Sequence, residues 1–322
     1  MKQVSLSRAL LAAALVALSG AVAAQTYPSK PVRIVVGFAP GGGTDIMARV
    51  LGAKLSESMR QPFIIENRPG ANANLAAKLV ADAPGDGYMI LFMSVAHIMS
   101  KPVYKNLGYD IERDLAPITV VSSVANVFGV NPALPAKTVK DMIALARSKP
   151  GELTYATSGV GSPEQFAGEM FKMMTKTDLL MIPYKGGGPI AIDLVAGHVM
   201  SSFSTMPPII PHVRANRVRA IAVTTAKRAA VLPDVPTIAE TVPGYEMSTW
   251  YGAVVPVKTP REIVQRLNQE LLKALALPDV KEKLAGLGAD VVGSSIEETV
   301  VIFRTDLAKF TKVAQAAKIR AD

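Results

Sequence analysis

A β-branched run at residues 32–38 passes through Gly41-Gly42-Gly43 directly into a helical pattern that begins at Asp45. Ile46, Val50, Leu51 and Leu55 then share one face at helical spacing. A strand that ends in glycines and feeds a helix is the first half of a β-α-β unit. The rhythm continues with a strand at 63–66, a helix at 75–80 and a strand at 88–93. Chains with this alternation build an open, largely parallel α/β sheet.

The second half repeats the rhythm. A strand at 127–130 ends at Asn131-Pro132. Thr138 with Asp141 reads as a capping pair, and the helix stops before Pro150-Gly151. After a strand at 153–157, Ser162-Pro163-Glu164-Gln165 marks a sharp helix start, with Gln165 placed to close a capping box. Phe166, Met170, Met173 and Met174 fall on one face of that helix. Strands follow at 181–184, 200–204 and 220–223, with a helix from Pro189 to Gly197 between the first two. The last third reads as a strand at 250–255 and two helices. Thr259-Pro260-Arg261-Glu262 and Ser295 with Glu298 mark their starts. Extended segments at 122–130 and 246–254 are candidate crossovers between two α/β units.

The N-terminus sets the compartment. Lys2 and Arg8 precede an uncharged apolar stretch at 9–22, and Ala21-Val22-Ala23-Ala24 offers a cleavage site before Ala24 or Gln25. This is the pattern of a secretory signal peptide, expected over residues 1–24. The apolar run is short for a membrane span, and no later stretch reads as one. A periplasmic, soluble chain is expected. It contains no cysteine, so it uses no disulfide and no thiolate chemistry.

The formal charge of +9 becomes +7 once Lys2 and Arg8 leave with the leader. A basic chain suits an anionic partner. Its Lys and Arg residues are dispersed and its aromatic residues sparse, which argues against nucleic acid.

Three glycine-rich strand-to-helix loops carry the chemistry. The first is Gly37-Phe38-Ala39-Pro40-Gly41-Gly42-Gly43-Thr44-Asp45. Glycines admit close backbone approach. The first N–H groups of a helix lack internal partners, so such a start holds an anion without a cation. No lysine follows for a P-loop, and the Gly-x-Gly-x-x-Gly spacing fails at Ile46. Asp45 would repel a phosphate if it faced the site. A small carboxylate suits the loop better, and a tight β-α turn accounts for the same residues equally well.

The second loop is Thr157-Ser158-Gly159-Val160-Gly161-Ser162. Ala156 stands where a nucleophile elbow needs glycine, so Ser158 does not read as a hydrolase serine. A binding loop and a plain capped helix start both remain open. The third loop is Tyr184-Lys185-Gly186-Gly187-Gly188-Pro189. Tyr184 can wall a pocket there. Lys185 reads as a surface lysine before an anion partner. Arg68, in the turn Asn67-Arg68-Pro69-Gly70-Ala71-Asn72, reads as a loop brace before a carboxylate fork. His97, His198 and His212 have no second ligand at metal spacing. His97 reads as loop structure before ligand contact, and His198 as a helix-end dipole partner.

These segments, in this order, resemble the Bug-type solute-binding receptors of tripartite tricarboxylate transporters. The likeness spans essentially the whole mature chain. It is carried by Tyr27-Pro28-Ser29-Lys30-Pro31-Val32, by Gly37 through Asp45 with Ala48-Arg49, and by Glu66-Asn67-Arg68-Pro69-Gly70-Ala71. Asp82, Pro84 and Asp86-Gly87-Tyr88 continue it, as do Tyr155-Ala156-Thr157-Ser158-Gly159, Pro183-Tyr184-Lys185-Gly186 and Leu232-Pro233-Asp234-Val235-Pro236-Thr237. The sequence departs from the family's usual pattern at Gly70-Ala71-Asn72-Ala73, where Gly-Ala-Gly-Gly is common. Further departures are Gln165 in place of His, the segment Ser94-Val95-Ala96-His97, and Ala196-Gly197-His198-Val199.

The resemblance implies a two-lobed Venus-flytrap of the type II-like periplasmic binding proteins. Each lobe would be a mostly parallel sheet flanked by helices, with two crossover strands as hinge. Lobe 1 would comprise 25–124 with 250–322, and lobe 2 would comprise 125–249. The implied ligand is a small carboxylate: a dicarboxylate, tricarboxylate, acidic amino acid or aromatic acid. The implied partner is a two-component integral membrane permease; no cofactor, metal or nucleic acid is implied, and a monomer is expected. First-lobe contacts are expected from Phe38, Ala39, Gly41, Gly42, Gly43, Thr44, Asp45, Asn72 and Ala73, with Ser94 and Ala96 nearby. Second-lobe contacts are expected from Thr157, Ser158, Gly159, Gly161, Ser162, Tyr184, Lys185, Ser204 and Thr205. Such a receptor performs no chemistry. A solute sensor for a membrane kinase and an exported hydrolase are the alternatives.

Overall fold

The computed structural model describes residues 27–321, so the expected leader lies outside it. Strand β1 (Val32–Val36) runs parallel to β2 (Phe63–Asn67) on one side and to β3 (Met89–Ser94) on the other. Helices α1 (Gly43–Met59) and α2 (Asn74–Ala81) make the crossovers. Val32, Val35 and Val36 are fully buried, as expected for a parallel strand covered on both faces. Helix α1 buries Met47, Val50, Leu51 and Leu55, while Ile46 is only partly covered.

The largely parallel sheet expected from the rhythm is a mixed one. Strand β9 (Ser248–Pro256) pairs antiparallel with β3, and β4 (Leu115–Val130) pairs antiparallel with β9. The short β10 (Ala289–Val291) pairs antiparallel with β4, so the order is β2-β1-β3-β9-β4-β10. A second sheet holds β6 (Leu180–Pro183), β5 (Thr154–Thr157) and β7 (Ser201–Thr205), all parallel. Strand β4 continues into it, antiparallel to both β7 and β8 (Arg219–Val223). The antiparallel members include the two strands that carry the chain between sheets. A strand arriving from the other lobe has no local helical crossover, the connection that parallel pairing requires.

The chain crosses between sheets twice, side by side. Strand β4 pairs with β9 and β10 over 115–125 and with β7 and β8 over 126–130. On the return, Met247 N–H bonds to the Thr224 carbonyl at 2.9 Å, and Ser248 then joins the first sheet opposite Ala125. The buried Asn126 side chain ties the crossings together. Its amide donates to the Phe203 carbonyl at 2.9 Å, and its oxygen accepts from Thr249 Oγ1 at 2.8 Å.

The remaining helices are α3 (Ala96–Ser100), α4 (Val139–Ser148), α5 (Pro163–Thr175), α6 (Gly187–Ala196), α7 (Met206–Arg214), α8 (Arg261–Ala276), α9 (Pro278–Gly286) and α10 (Ile296–Ala316). Thr138 with Asp141 and Ser295 with Glu298 form complete capping boxes. Two expected starts differ in detail. Gln165 reaches back past Ser162 and accepts from Gly161 N–H at 2.7 Å. Thr259 does not cap α8; Pro260 takes that position and the Thr259 hydroxyl is buried without a partner. On α5, Phe166, Ala167 and Phe171 are buried while Met173 is exposed, because the core-facing stripe runs through Phe171. Helix α10 spans both lobes. Phe303 stacks on Trp250 of β9, and Phe310 meets Phe166 of α5 edge-on. Among the described residues no helix is long and apolar enough to cross a membrane.

Candidate functional site

Both sheets aim the carboxyl ends of their parallel strands at one cleft, where ligands collect in open α/β folds. Strand β1 delivers Phe38 and the first glycine loop, and β3 delivers Ser94. Strands β5, β6 and β7 deliver Ser158, Tyr184 and Thr205. Two adjoining cavities result, sharing Phe38 and Ser158. The first measures about 20 Å³ and is lined by Phe38, Gly42, Gly43, Thr44, Ser94, Ser158, Pro163, Glu164, Gly187, Thr205, Thr249 and Tyr251. On this measure a water needs about 10–15 Å³, so the cavity admits one small polar group. The second measures about 200 Å³, and Gly37, Asn72, Ala73, Tyr104, Gly159, Tyr184 and Lys185 are among its walls.

Among the described residues no basic side chain lines the first cavity. Its positive character comes from backbone. Helices α1, α6 and α7 all start at its wall, at Gly42-Gly43, Gly186-Gly187 and Thr205-Met206, and none has a side-chain cap. Their first N–H groups therefore remain available, with the partial positive charge of the helix end. Helix α7 offers fewest, because Pro207 and Pro208 have no N–H. The hydroxyls of Thr44, Ser94, Ser158, Thr205, Thr249 and Tyr251 complete the wall. The Tyr251 hydroxyl is buried beside the Thr205 side chain and makes no hydrogen bond of good geometry. Burial raises its pKa, so it stays neutral.

The other expected residues sit around these cavities in distinct ways. Asp45 does not line them. Its carboxylate accepts from Gly41 N–H at 2.9 Å, from Asn67 Nδ2 at 2.9 Å and from Arg49 Nε at 3.0 Å. Asn67 Nδ2 also donates to the Phe38 carbonyl at 3.0 Å, so Asp45 and Asn67 clamp the glycine loop. Ala96 is packed in the core. Gly161 and Ser162 build the α5 start, Thr157 ends β5, and the Ser204 hydroxyl bonds to Ser202 at 2.8 Å. Ala39 and Gly41 belong to the loop backbone between Phe38 and Gly42. Tyr184 donates to Asp193 at 2.8 Å with its ring on the second cavity. Arg68 pairs with Glu66, as a brace does. His97 is fully buried in α3 under Phe38, and burial, partly offset by backbone hydrogen bonds, holds its pKa down to about 4.

The turn at Ala71, Asn72 and Ala73 is left-handed throughout, with φ of 46°, 50° and 71°. Asparagine tolerates this conformation; alanine there costs about 1–2 kcal/mol. That backbone explains why glycines suit this turn, and Asn72 gains from its position a buried oxygen with no partner on the second cavity wall.

Burial pushes the Asp45 carboxyl up, but hydrogen bonds from Arg49, Gly41 and Asn67 outweigh it and hold the pKa below the ordinary 3.8. A depressed native pKa contributes stability that is whole above 3.8 and is lost as pH falls through the native value. The advantage of wild type over Asp45→Asn in urea midpoint should therefore be full at about pH 6 and shrink below about pH 4. A difference that holds constant with pH would contradict the clamp.

The two glycine loops also touch each other across the cleft. Ala39 N–H donates to the Lys185 carbonyl at 2.9 Å. A side chain at Gly188 would overlap the Pro40 carbonyl of the opposite lobe, and within the first lobe one at Gly43 would overlap the Tyr251 hydroxyl. Tyr104 on the first lobe donates to the Val160 carbonyl of the second at 2.9 Å. The two lobes are thus in direct contact across the cleft. Lining residues absent from the expected contacts include Glu164, Gly187, Thr249 and Tyr251 on the first cavity and Tyr104 on the second. Glu164 is hidden inside a capping motif. Thr249 and Tyr251 sit near the start of an antiparallel strand, which reaches the cleft only because β9 pairs with β3.

Known proteins share this architecture. The model of the tripartite tricarboxylate transporter family receptor matches residues 47–319. Protein BugT of Bordetella pertussis is 34% identical over 285 residues, covering 88% of this chain and 87% of that protein. An R. palustris protein solved with adipate superposes with a TM-score of 0.89 at 38% identity, covering 91% of this chain and 99% of the other. MatC from Rhodopseudomonas palustris, solved with bound malate, gives a TM-score of 0.86 at 28% identity, covering 89% and 99%. With its two-lobed α/β fold and its match over most of its length, the chain belongs to the tripartite tricarboxylate transporter receptor family.

Proposed function

We propose that this protein is a periplasmic receptor that captures a small carboxylate by closing its lobes and delivers it to a two-component membrane permease. The observation that carries the reading is the first cavity: uncapped helix starts and hydroxyls converge on it, and among the described residues no basic side chain does. Such a wall holds a carboxylate by hydrogen bonds to N–H groups. Adipate and malate in the similar solved proteins support the ligand class. The leader-like N-terminus supports export, and the family supports a membrane permease as partner. The chain acts as a monomeric receptor and not as an enzyme.

The moving bodies are 25–124 with 250–322 and 125–249, hinged where β4 and the segment before β9 cross. The ligand touches Gly42, Gly43, Thr44 and Ser94 on one lobe and Ser158 and Thr205 on the other. Its remainder extends along Asn72, Ala73 and Tyr184 into the second cavity. Hydrogen bonds to a charged group contribute about 1.5–3 kcal/mol each, and micromolar affinity requires about 8 kcal/mol. A handful of them suffices. Ser158→Ala and Gly42→Val should each weaken carboxylate binding by about tenfold or more while the thermal melt stays cooperative. Calorimetric titration checks this, and unchanged affinity in both variants would sink the site assignment.

A further inference from the structure

Among the described residues Glu164 is the one carboxylate on the wall of the first cavity. It is 4% exposed, the second residue of α5, and accepts from Ser158 Oγ at 2.7 Å. Among the described residues no basic side chain pairs with it. Burial pushes its carboxyl above the ordinary range, and hydrogen bonds from Ser158 and nearby groups pull back only in part. Across the same small cavity the Tyr251 hydroxyl is buried and makes no hydrogen bond of good geometry. A cleft suited to an anion thus contains a buried carboxyl group of its own, beside the Tyr251 hydroxyl.

We propose that Glu164 is a specificity-determining residue, which makes the cleft select a carboxylate bearing a hydroxyl or ammonium donor beside it. This rests on the carboxylate-receptor reading above. The ligand's carboxylate oxygens take the N–H groups of the α1 and α6 starts. Its neighbouring donor takes Glu164, and the Tyr251 hydroxyl fills the remaining valence of the end group. A bare carboxylate supplies nothing to Glu164. It sets two carboxylates in one water-poor cavity, where both cannot remain ionised, so one must take up a proton as the lobes close. Closing on such a ligand therefore carries the cost of that protonation, which a donor-bearing ligand avoids. The cavity's size agrees: it has room for one polar end group, while the rest of the ligand lies in the larger cavity next to it.

The test uses matched acids on the full mature chain: succinate, glutarate, adipate and phenylacetate, each with its 2-hydroxy and 2-amino derivative. Wild type should bind a donor-bearing acid about tenfold or more tighter than its bare parent. Glu164→Gln, which keeps an acceptor for Ser158, should bring that ratio below about threefold, mainly by improving the bare parent. A bare acid that equals its derivatives in wild type overturns the proposal without any variant. A preference that survives Glu164→Gln overturns it too. If none of these acids binds wild type, the carboxylate-receptor reading itself falls; if they bind without discrimination, only the role of Glu164 does.

Discussion

Gly188→Ala should weaken ligand binding by about tenfold or more, while the ligand-free protein melts no lower than wild type. Gly188 lies inside the first turn of α6, with no left-handed backbone to demand glycine. Alanine there favours the helix by up to about 1 kcal/mol. The three atoms nearest its methyl group belong to the opposite lobe: the Pro40 carbonyl and the Gly41–Gly42 backbone. These are main-chain atoms that cannot swing aside. Overpacking of this kind costs about 1–3 kcal/mol, and the whole cost falls on the closed form. Stability and affinity should move in opposite directions. Titration calorimetry together with a thermal melt measures both. Affinity equal to wild type would mean that the loops do not close on each other when ligand binds.

The largest effect on stability is expected at Phe203. This ring is fully buried on β7, stacked on Phe128 at 4.2 Å and flanked by Phe171 at 5.7 Å and Tyr155 at 6.2 Å. Phe203→Ala removes the ring on which the other three converge. Truncations of this kind cost about 3–5 kcal/mol, a large share of the roughly 5–15 kcal/mol of a typical domain. The loss belongs to the second sheet, whose β7 also carries Thr205 to the cleft. A urea unfolding curve should show a markedly lower midpoint. A loss below about 1 kcal/mol would contradict the packing described, since it would place the ring outside a tightly filled core.

The parts legible in the sequence are those governed by local chemistry. The β1 run, its glycine turn and the amphipathic face of α1 follow from spacing within a dozen residues. The capping boxes at Thr138 and Ser295 follow from pairs three residues apart. What escaped depends on distant partners. Of β4 only 127–130 read as strand and 122–130 as an extended crossover, because its first part pairs in the other sheet and carries Pro117, Ser122 and Ser123 among its apolar residues. Tyr251 and Thr249 reach the cleft through the antiparallel pairing of β9 with β3, which no local pattern announces. Thr259 looks like a cap and is not one, since Pro260 takes the position. The glycines after Lys185 suggested close approach to a ligand. With the lobes in contact they equally admit the other lobe's backbone. Asp45 is the reverse case: the ambiguity over whether it faced the site is resolved by three hydrogen bonds that turn it inward.

The most direct measurement is a thermal-shift titration of the mature protein against mono-, di- and tricarboxylates, aromatic acids included. A receptor of this kind should be stabilised by at least one of them, by about 2.7 kcal/mol at a hundred times its dissociation constant. No shift with any acid across the panel, at concentrations up to about 10 mM, would contradict a cleft that holds carboxylates on its helix starts.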